Sequence, residues 1–360
     1  MGLGKRYGPT PNAKRRQHET RDDVVSWSAA VNVGDGERLW GLVNKRYWQS
    51  LARRALVYFA VSFGISYLVS SARSSNAGSL AATSAVTSGE HSSGLPFEVH
   101  SAVTNGIASG EIKARLNFPF TAVSAALSSP QAWCQFLTFH LNVKGCIYQD
   151  KAVGDKLFGD DSFRNSGGRV IVYSGRKEFQ PLGKAFALEY EFVAAAPSAG
   201  VLNVTLSAAR GPLNTKDYVI DVAVRELSST TTELEILYRY HASRLARLSM
   251  ETYLATAGSR KVGFTVTTRD VEGRPVYITG DRGVMERNTM RYYLAIQAYL
   301  EGATVPPAER IEWASTRWFD LTEQYALQLH EIERNDYLAN KRREFLQQAS
   351  QQAVLESTRR

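Results

Sequence analysis

Residues 217–242 read DYVIDVAVRELSSTTTELEILYRYHA, and their alternation decides the fold class. Tyr218, Ile220, Val222 and Val224 fall on one side of an extended chain. After a Ser/Thr-rich turn, Thr232, Leu234, Ile236, Tyr238 and Tyr240 do the same, opposite Glu233, Glu235, Arg239 and His241. A period of two over both runs predicts an antiparallel hairpin with one apolar face and one wet face.

Working outward, the same alternation recurs at about 169–177, 185–194 and 201–209, with Gly/Pro/Ser/Asn clusters at 165–168, 197–200 and 211–216 as turns. A helix over Arg244–Ala255 interrupts the pattern, and short strands follow at about 262–268 and 274–279. Upstream, Ile112, Ala114, Leu116 and Phe118 alternate with Glu111, Lys113, Arg115 and Asn117 until Pro119. Two short helices divided by Pro130 come next. From about Met285 to Leu300, Met290, Tyr293, Leu294 and Gln297 share one side of a helix. A meander with one apolar face must curl over something, and this helix is the economical partner. The expected fold is α+β: a curved antiparallel sheet wrapped around a long helix, with a C-terminal helical extension. Incomplete filling between sheet and helix would leave an apolar cavity.

Residues 110–146, GEIKARLNFPFTAVSAALSSPQAWCQFLTFHLNVKGC, resemble the opening of the helix-grip, START-like superfamily. The positions that carry the resemblance are Phe118, Pro119, Val123, Leu127, Pro130 and Trp133, and the order of elements agrees over roughly 110–302. The chain is also similar to exported bacterial proteins with a WC…HLNVK.C segment and an ERNTMRYYLA helix. The helix at 244–255 and the long C-terminal extension depart from the superfamily pattern. The resemblance implies a cavity for a lipid-like or other hydrophobic small molecule. It transfers no catalytic residue. On this reading the ligand space is lined by Ile220, Val222, Ile236 and Tyr238 from the strands and by Met290, Tyr293 and Leu294 from the helix. Arg287 and Arg291 are placed to meet a head group bidentately, or else belong to a solvated first helical turn.

The N-terminal part carries a different message. Residues 55–71, ALVYFAVSFGISYLVSS, hold no charge and follow Arg53 and Arg54. As a helix they would reach about 26 Å, the short limit for a bilayer core. The net charge of +8 is concentrated ahead of this stretch: residues 1–54 hold eleven Lys/Arg against five Asp/Glu, which leaves +2 for the rest. Bases on one flank of an apolar run are a topology signal, whereas a nucleic-acid partner needs them on the folded domain, so none is expected. The organisation expected is a disordered basic segment at 1–54, a signal peptide or single membrane anchor at 55–71, and a Ser/Ala/Gly-rich linker at 72–109. A START-like domain at 110–302 and a helical extension at 303–360 complete it. The domain would then lie in the periplasm, free or tethered to the inner membrane through 55–71.

Cys134 and Cys146, twelve residues apart, are expected to pair in such an oxidising compartment, with two separate buried thiols as the alternative. A bridge over so short a loop contributes roughly 3 kcal/mol. No metal-ligand spacing, G-x-S-x-G elbow, P-loop or G-x-G-x-x-G occurs, so no catalytic residue, metal or cofactor is assigned. His140 closes a helix and is expected to cap its carbonyls. A cyclase- or isomerase-type enzyme on an apolar substrate, and a structural protein with a filled core, remain the alternatives to a binding module. Beyond Pro307 there is neither Gly nor Pro, and Trp318, Leu321, Tyr325, Gln328 and Ile332 form an amphipathic face. That face either packs on the domain, with a polar tail fraying after Phe345, or mediates self-association through 311–345.

Overall fold

The computed structural model describes residues 97–150, 166–256 and 258–358. The basic segment and the apolar stretch 55–71 lie outside the described residues. Among those described, no helix is long and apolar enough to cross a membrane.

The chain opens with the hairpin β1 (Phe97–Thr104) and β2 (Ile107–Leu116). Asn105 and Gly106 both take positive φ at its tip, the backbone that a two-residue hairpin turn demands. Two short helices follow, α1 (Phe120–Leu127) and α2 (Pro130–Phe139). Ser129 caps α2 by accepting from the Ala132 amide at 3.2 Å, and the Trp133 indole donates to the Leu127 carbonyl at 2.7 Å, locking the two helices together. Six strands then run as a meander: β3 (Val143–Asp150), β4 (Ser166–Ser174), β5 (Phe186–Ser198), β6 (Val201–Arg210), β7 (Lys216–Ser228) and β8 (Thr231–His241). The α1–α2 connection carries the chain from β2 to the far edge, and the meander returns to pair β8 with β2. The resulting antiparallel sheet has the order β1-β2-β8-β7-β6-β5-β4-β3.

After β8 come α3 (Arg244–Ala255), a small hairpin of β9 (Val266–Arg269) and β10 (Pro275–Tyr277), and the long helix α4 (Gly280–Glu301). Helices α5 (Pro307–Glu323), α6 (Ala326–Leu329) and α7 (Arg334–Ser357) complete the described chain. The architecture is α+β, as expected: an eight-stranded antiparallel sheet gripping one long helix. Register aligns the inward side chains in rows, such as Val204, Val222, Ile236 and Ile112 across four neighbouring strands. The helix reaches the sheet at Gly110, where an added Cβ would stand 3.0 Å from the Met285 carbonyl oxygen and would collide with the Thr289 hydroxyl. Gly110 is there because α4 occupies the space of its side chain.

Three boundaries differ from the sequence expectation. The sheet begins at Phe97, inside the stretch assigned to a linker, because β1 pairs with β2 along all eight of its residues. The long helix begins at Gly280, five residues early; its first turns bury Glu286, which offers no apolar periodicity to read. The C-terminal tail does not fray after Phe345: α7 runs to Ser357 and seals the edge strand β3. The Gln348 side chain accepts from the Cys146 amide (2.9 Å) and donates to the Cys134 carbonyl, while Gln352 does the same for both backbone groups of Tyr148. Amide side chains thus take the place of a ninth strand. The face expected to mediate self-association is covered by the chain's own helices, with Trp318, Leu321 and Gln328 buried. Trp318 stacks on Tyr337 of α7 and donates to the Arg291 carbonyl of α4.

Candidate functional site

The sulfurs of Cys134 and Cys146 are bonded, with Cα atoms 4.9 Å apart, which fastens α2 to β3. Beside this staple lies a buried charge cluster. The Glu344 carboxylate bridges Lys144 and Lys341 at 2.6 Å each, with all three side chains almost wholly excluded from solvent. The Lys341 ammonium also donates to the carbonyls of His140 (2.8 Å) and Val143 (3.0 Å), and Lys144 to that of Glu178. Burial, opposed by Glu344, pulls the Lys341 ammonium down to about 7. Lys144 is lowered by the same cause.

On the other side of His140 the sheet and α4 part to leave a cavity of about 750 Å³. Its apolar wall comes from β4, β5, β7 and β8: Val172 and Leu188, then Tyr190, Tyr218, Tyr238 and Tyr240. The Tyr218 and Tyr240 rings stack at 5.1 Å, and Tyr238 meets Tyr292 of α4 edge-on at 5.7 Å. Burial raises all of these phenols, Tyr292 to about 12, so the wall is neutral. Helix α3 borders the space with Ala246, Met250 and Tyr253 while Leu245 and Leu248 face outward.

The opposite wall is polar. Arg287 and Arg291, one turn apart on α4, are 2% and 5% exposed and line the cavity together with Lys261 and Lys177. Arg176, Lys184 and Arg247 add three more cations to the lining, against only two carboxylates, Asp281 and Glu331. Glu331 meets Arg291 at 3.3 Å and Lys261 at 3.5 Å. Burial pushes its carboxyl up, but Arg291, Lys261, Lys177 and Arg287 together leave it below the ordinary value. Arg287 donates to the Val262 carbonyl, and burial followed by the Arg291 charge lowers its guanidinium.

His140 is the C-cap of α2, its backbone N–H donating to the Leu137 carbonyl at 3.1 Å, while its imidazole stacks on Tyr292 at 5.2 Å. Its Nδ1 accepts from the Asn142 amide at 3.1 Å, so the ring proton sits on Nε2. Burial, then the charges of Arg291, Lys341 and Lys144, hold the imidazole well below its usual value and therefore neutral, opposed by the Asn288 side chain beside it. Neither His140 Nε2 nor Arg291 Nε has a hydrogen-bond partner in the protein.

Of the residues expected to line the ligand space, Tyr238, Arg287 and Arg291 border this cavity. Ile220, Val222, Ile236, Met290, Tyr293 and Leu294 sit in the close-packed core, each at most 4% exposed. Arg287 and Arg291 are not in a solvated first turn, because α4 begins well before them. Sequence reasoning missed His140, Lys261 and Glu331 as lining residues; only the tertiary fold brings these three loops together. No group of side chains that would hold a metal ion occurs among the described residues.

No profile of a known protein family matches the chain, and no curated protein does. Similar solved structures include a STAR-related lipid transfer protein from Xanthomonas axonopodis, 11% identical, with a TM-score of 0.33, covering 57% of this chain and 94% of that one. A START superfamily protein from Mycobacterium smegmatis is 14% identical, with a TM-score of 0.25, covering 42% and 92%. Human StAR-related lipid transfer protein 5 is 8% identical, with a TM-score of 0.29, covering 58% and 88%.

Proposed function

We propose that the chain is a binding module that takes a hydrophobic, lipid-like molecule into the cavity between the sheet and α4. The observation that carries this reading is the cavity itself: about 750 Å³, walled on one side by tyrosine rings and aliphatic side chains. Ligand pockets span roughly 300–1,000 Å³ and are mostly apolar with a few convergent polar groups, which describes this one. The module works outside the cytoplasm, in the periplasm or at the inner membrane facing it, carried there by residues 55–71. Supporting this are the uncharged stretch behind Arg53 and Arg54 and a pair of cysteines suited to an oxidising compartment.

Native mass spectrometry of the full chain tests the first part. Adducts of lipid mass that vanish on denaturation are expected; the bare polypeptide mass, with no uptake of an added apolar probe, would overturn the reading. For the second part, a reporter active only in the cytoplasm and fused after Gly94 should stay silent in cells. Strong reporter activity would sink the export reading and leave the cavity untouched.

A further inference from the structure

We infer that the ligand of this cavity is an amphiphile with an anionic head group, seated at Arg287, Arg291 and His140 with its tail along the tyrosine wall. The inference rests on the cavity being a binding site and goes on to assign its ligand a charge. Three observations converge on it.

The first is charge balance. Two buried cations, Arg287 and Arg291, and two partly exposed ones, Lys261 and Lys177, border the polar wall, and Glu331 is the single carboxylate among them. Buried charge without a counter-ion is costly, and an anion entering the cavity would relieve that cost. The second is the pair of unused donors. His140 is 4% and Arg291 5% exposed, both line the cavity, and the Nε2–H and Nε–H find no acceptor in the protein. Both groups only donate in their present state, which suits an acceptor-only head such as a carboxylate or phosphate. Water can satisfy a donor, but it cannot neutralise the surplus charge. The third is the contrast with the neighbouring cluster. There one carboxylate, Glu344, again faces two cations, Lys144 and Lys341, but both ammonium groups are engaged by carboxylate and carbonyl oxygens and no donor is left over. The same fold therefore completes a buried cluster where no ligand enters and leaves one incomplete where a cavity opens.

The geometry also orients the molecule. Tyr292 stacks on His140 and meets Tyr238 edge-on, so the polar seat and the aromatic wall join at one residue. A head group at Arg291 places the adjoining apolar chain against Tyr238, Tyr218 and Leu188.

The test is competition on the full chain preloaded with the neutral probe Nile red. Hexadecanoate, hexadecyl phosphate and hexadecanol share one tail and differ only in the head. Either anion should displace the probe at a concentration at least about tenfold below that of the alcohol, as charge-assisted hydrogen bonds require, and the stronger of the two names the head group. Arg291→Gln and His140→Phe, which keeps the ring on Tyr292, should each narrow that ratio to about threefold or less. Hexadecanol displacing as well as both anions would overturn the inference while leaving the cavity reading intact. Failure of Nile red to bind at all would overturn the cavity reading instead. The ranking on the unaltered chain decides the matter even where a variant does not fold.

Discussion

Two buried ion clusters flank His140, and they differ in one respect. Around Glu344 the two lysines also outnumber the carboxylate, but their ammonium groups are shared out among carboxylate and carbonyl oxygens, and none of the three side chains lines the cavity. Around Glu331 the cations outnumber the carboxylate, donors are left over, and a cavity adjoins. Burial alone therefore does not separate structure from function in this molecule; completeness does. The first cluster fastens α7 to the sheet edge, and the second is the one the proposed ligand would complete.

Removing the central carboxylate from each cluster sharpens the contrast. Glu344→Gln leaves two buried ammonium groups without a counter-charge and should cost about 3–5 kcal/mol in a denaturant titration. Glu331→Gln, at a site already short of negative charge and open to a cavity, should cost only about 1–2 kcal/mol. It should also tighten binding of hexadecanoate, since one competitor for Arg291 is gone. Equal destabilisation by the two changes would erase the distinction.

A smaller effect follows from pH. Lys341 binds its proton less tightly folded, at about 7, than unfolded, at 10.5. Between those values the unfolded chain holds a proton that the folded chain has released, so stability rises with pH, by at most about 1.4 kcal/mol per unit from this group. Lys144, lowered as well, adds to the same sign. Stability measured from pH 7 to 9 should climb in the unaltered protein, and Lys341→Met should flatten the climb. An unchanged slope would show that the proton is released elsewhere.

How much of this was legible beforehand depends on the signal each element carries. Strands β4 to β8 announce themselves because inward and outward residues alternate without interruption, and the observed bounds fall within a few residues of those expected. The helical extension was legible, but the turns of α7 beyond Phe345 were not, because the contacts they make with the domain are polar. Lys341, Glu344, Gln348 and Gln352 recur at helical spacing and face the domain, yet a hydrophobic pattern scores them as solvent-facing. A polar stripe at three- and four-residue steps was the clue. The cavity was misplaced along the sheet for a related reason. Alternation treats Tyr218 and Val222 alike, although the aliphatic stretch around Val222, Ile236 and Met290 packs shut and the tyrosine stretch does not. Which rows close depends on where α4 lies against the sheet, and Gly110 in β2 marks one point of that contact.

That last contrast provides the most direct test of the binding account. Leu188 lines the cavity, whereas Val222, on the same face of the sheet, lies in the closed core. Nile red uptake and denaturant stability should be measured side by side for the unaltered chain, Leu188→Trp and Val222→Trp. The account predicts that Leu188→Trp loses most of the uptake at a cost below about 1 kcal/mol, because the ring fills empty space. Val222→Trp should lose about 1–3 kcal/mol to overpacking yet still take up the probe while folded. Full uptake by a stably folded Leu188→Trp protein, or none by the unaltered chain, would contradict it.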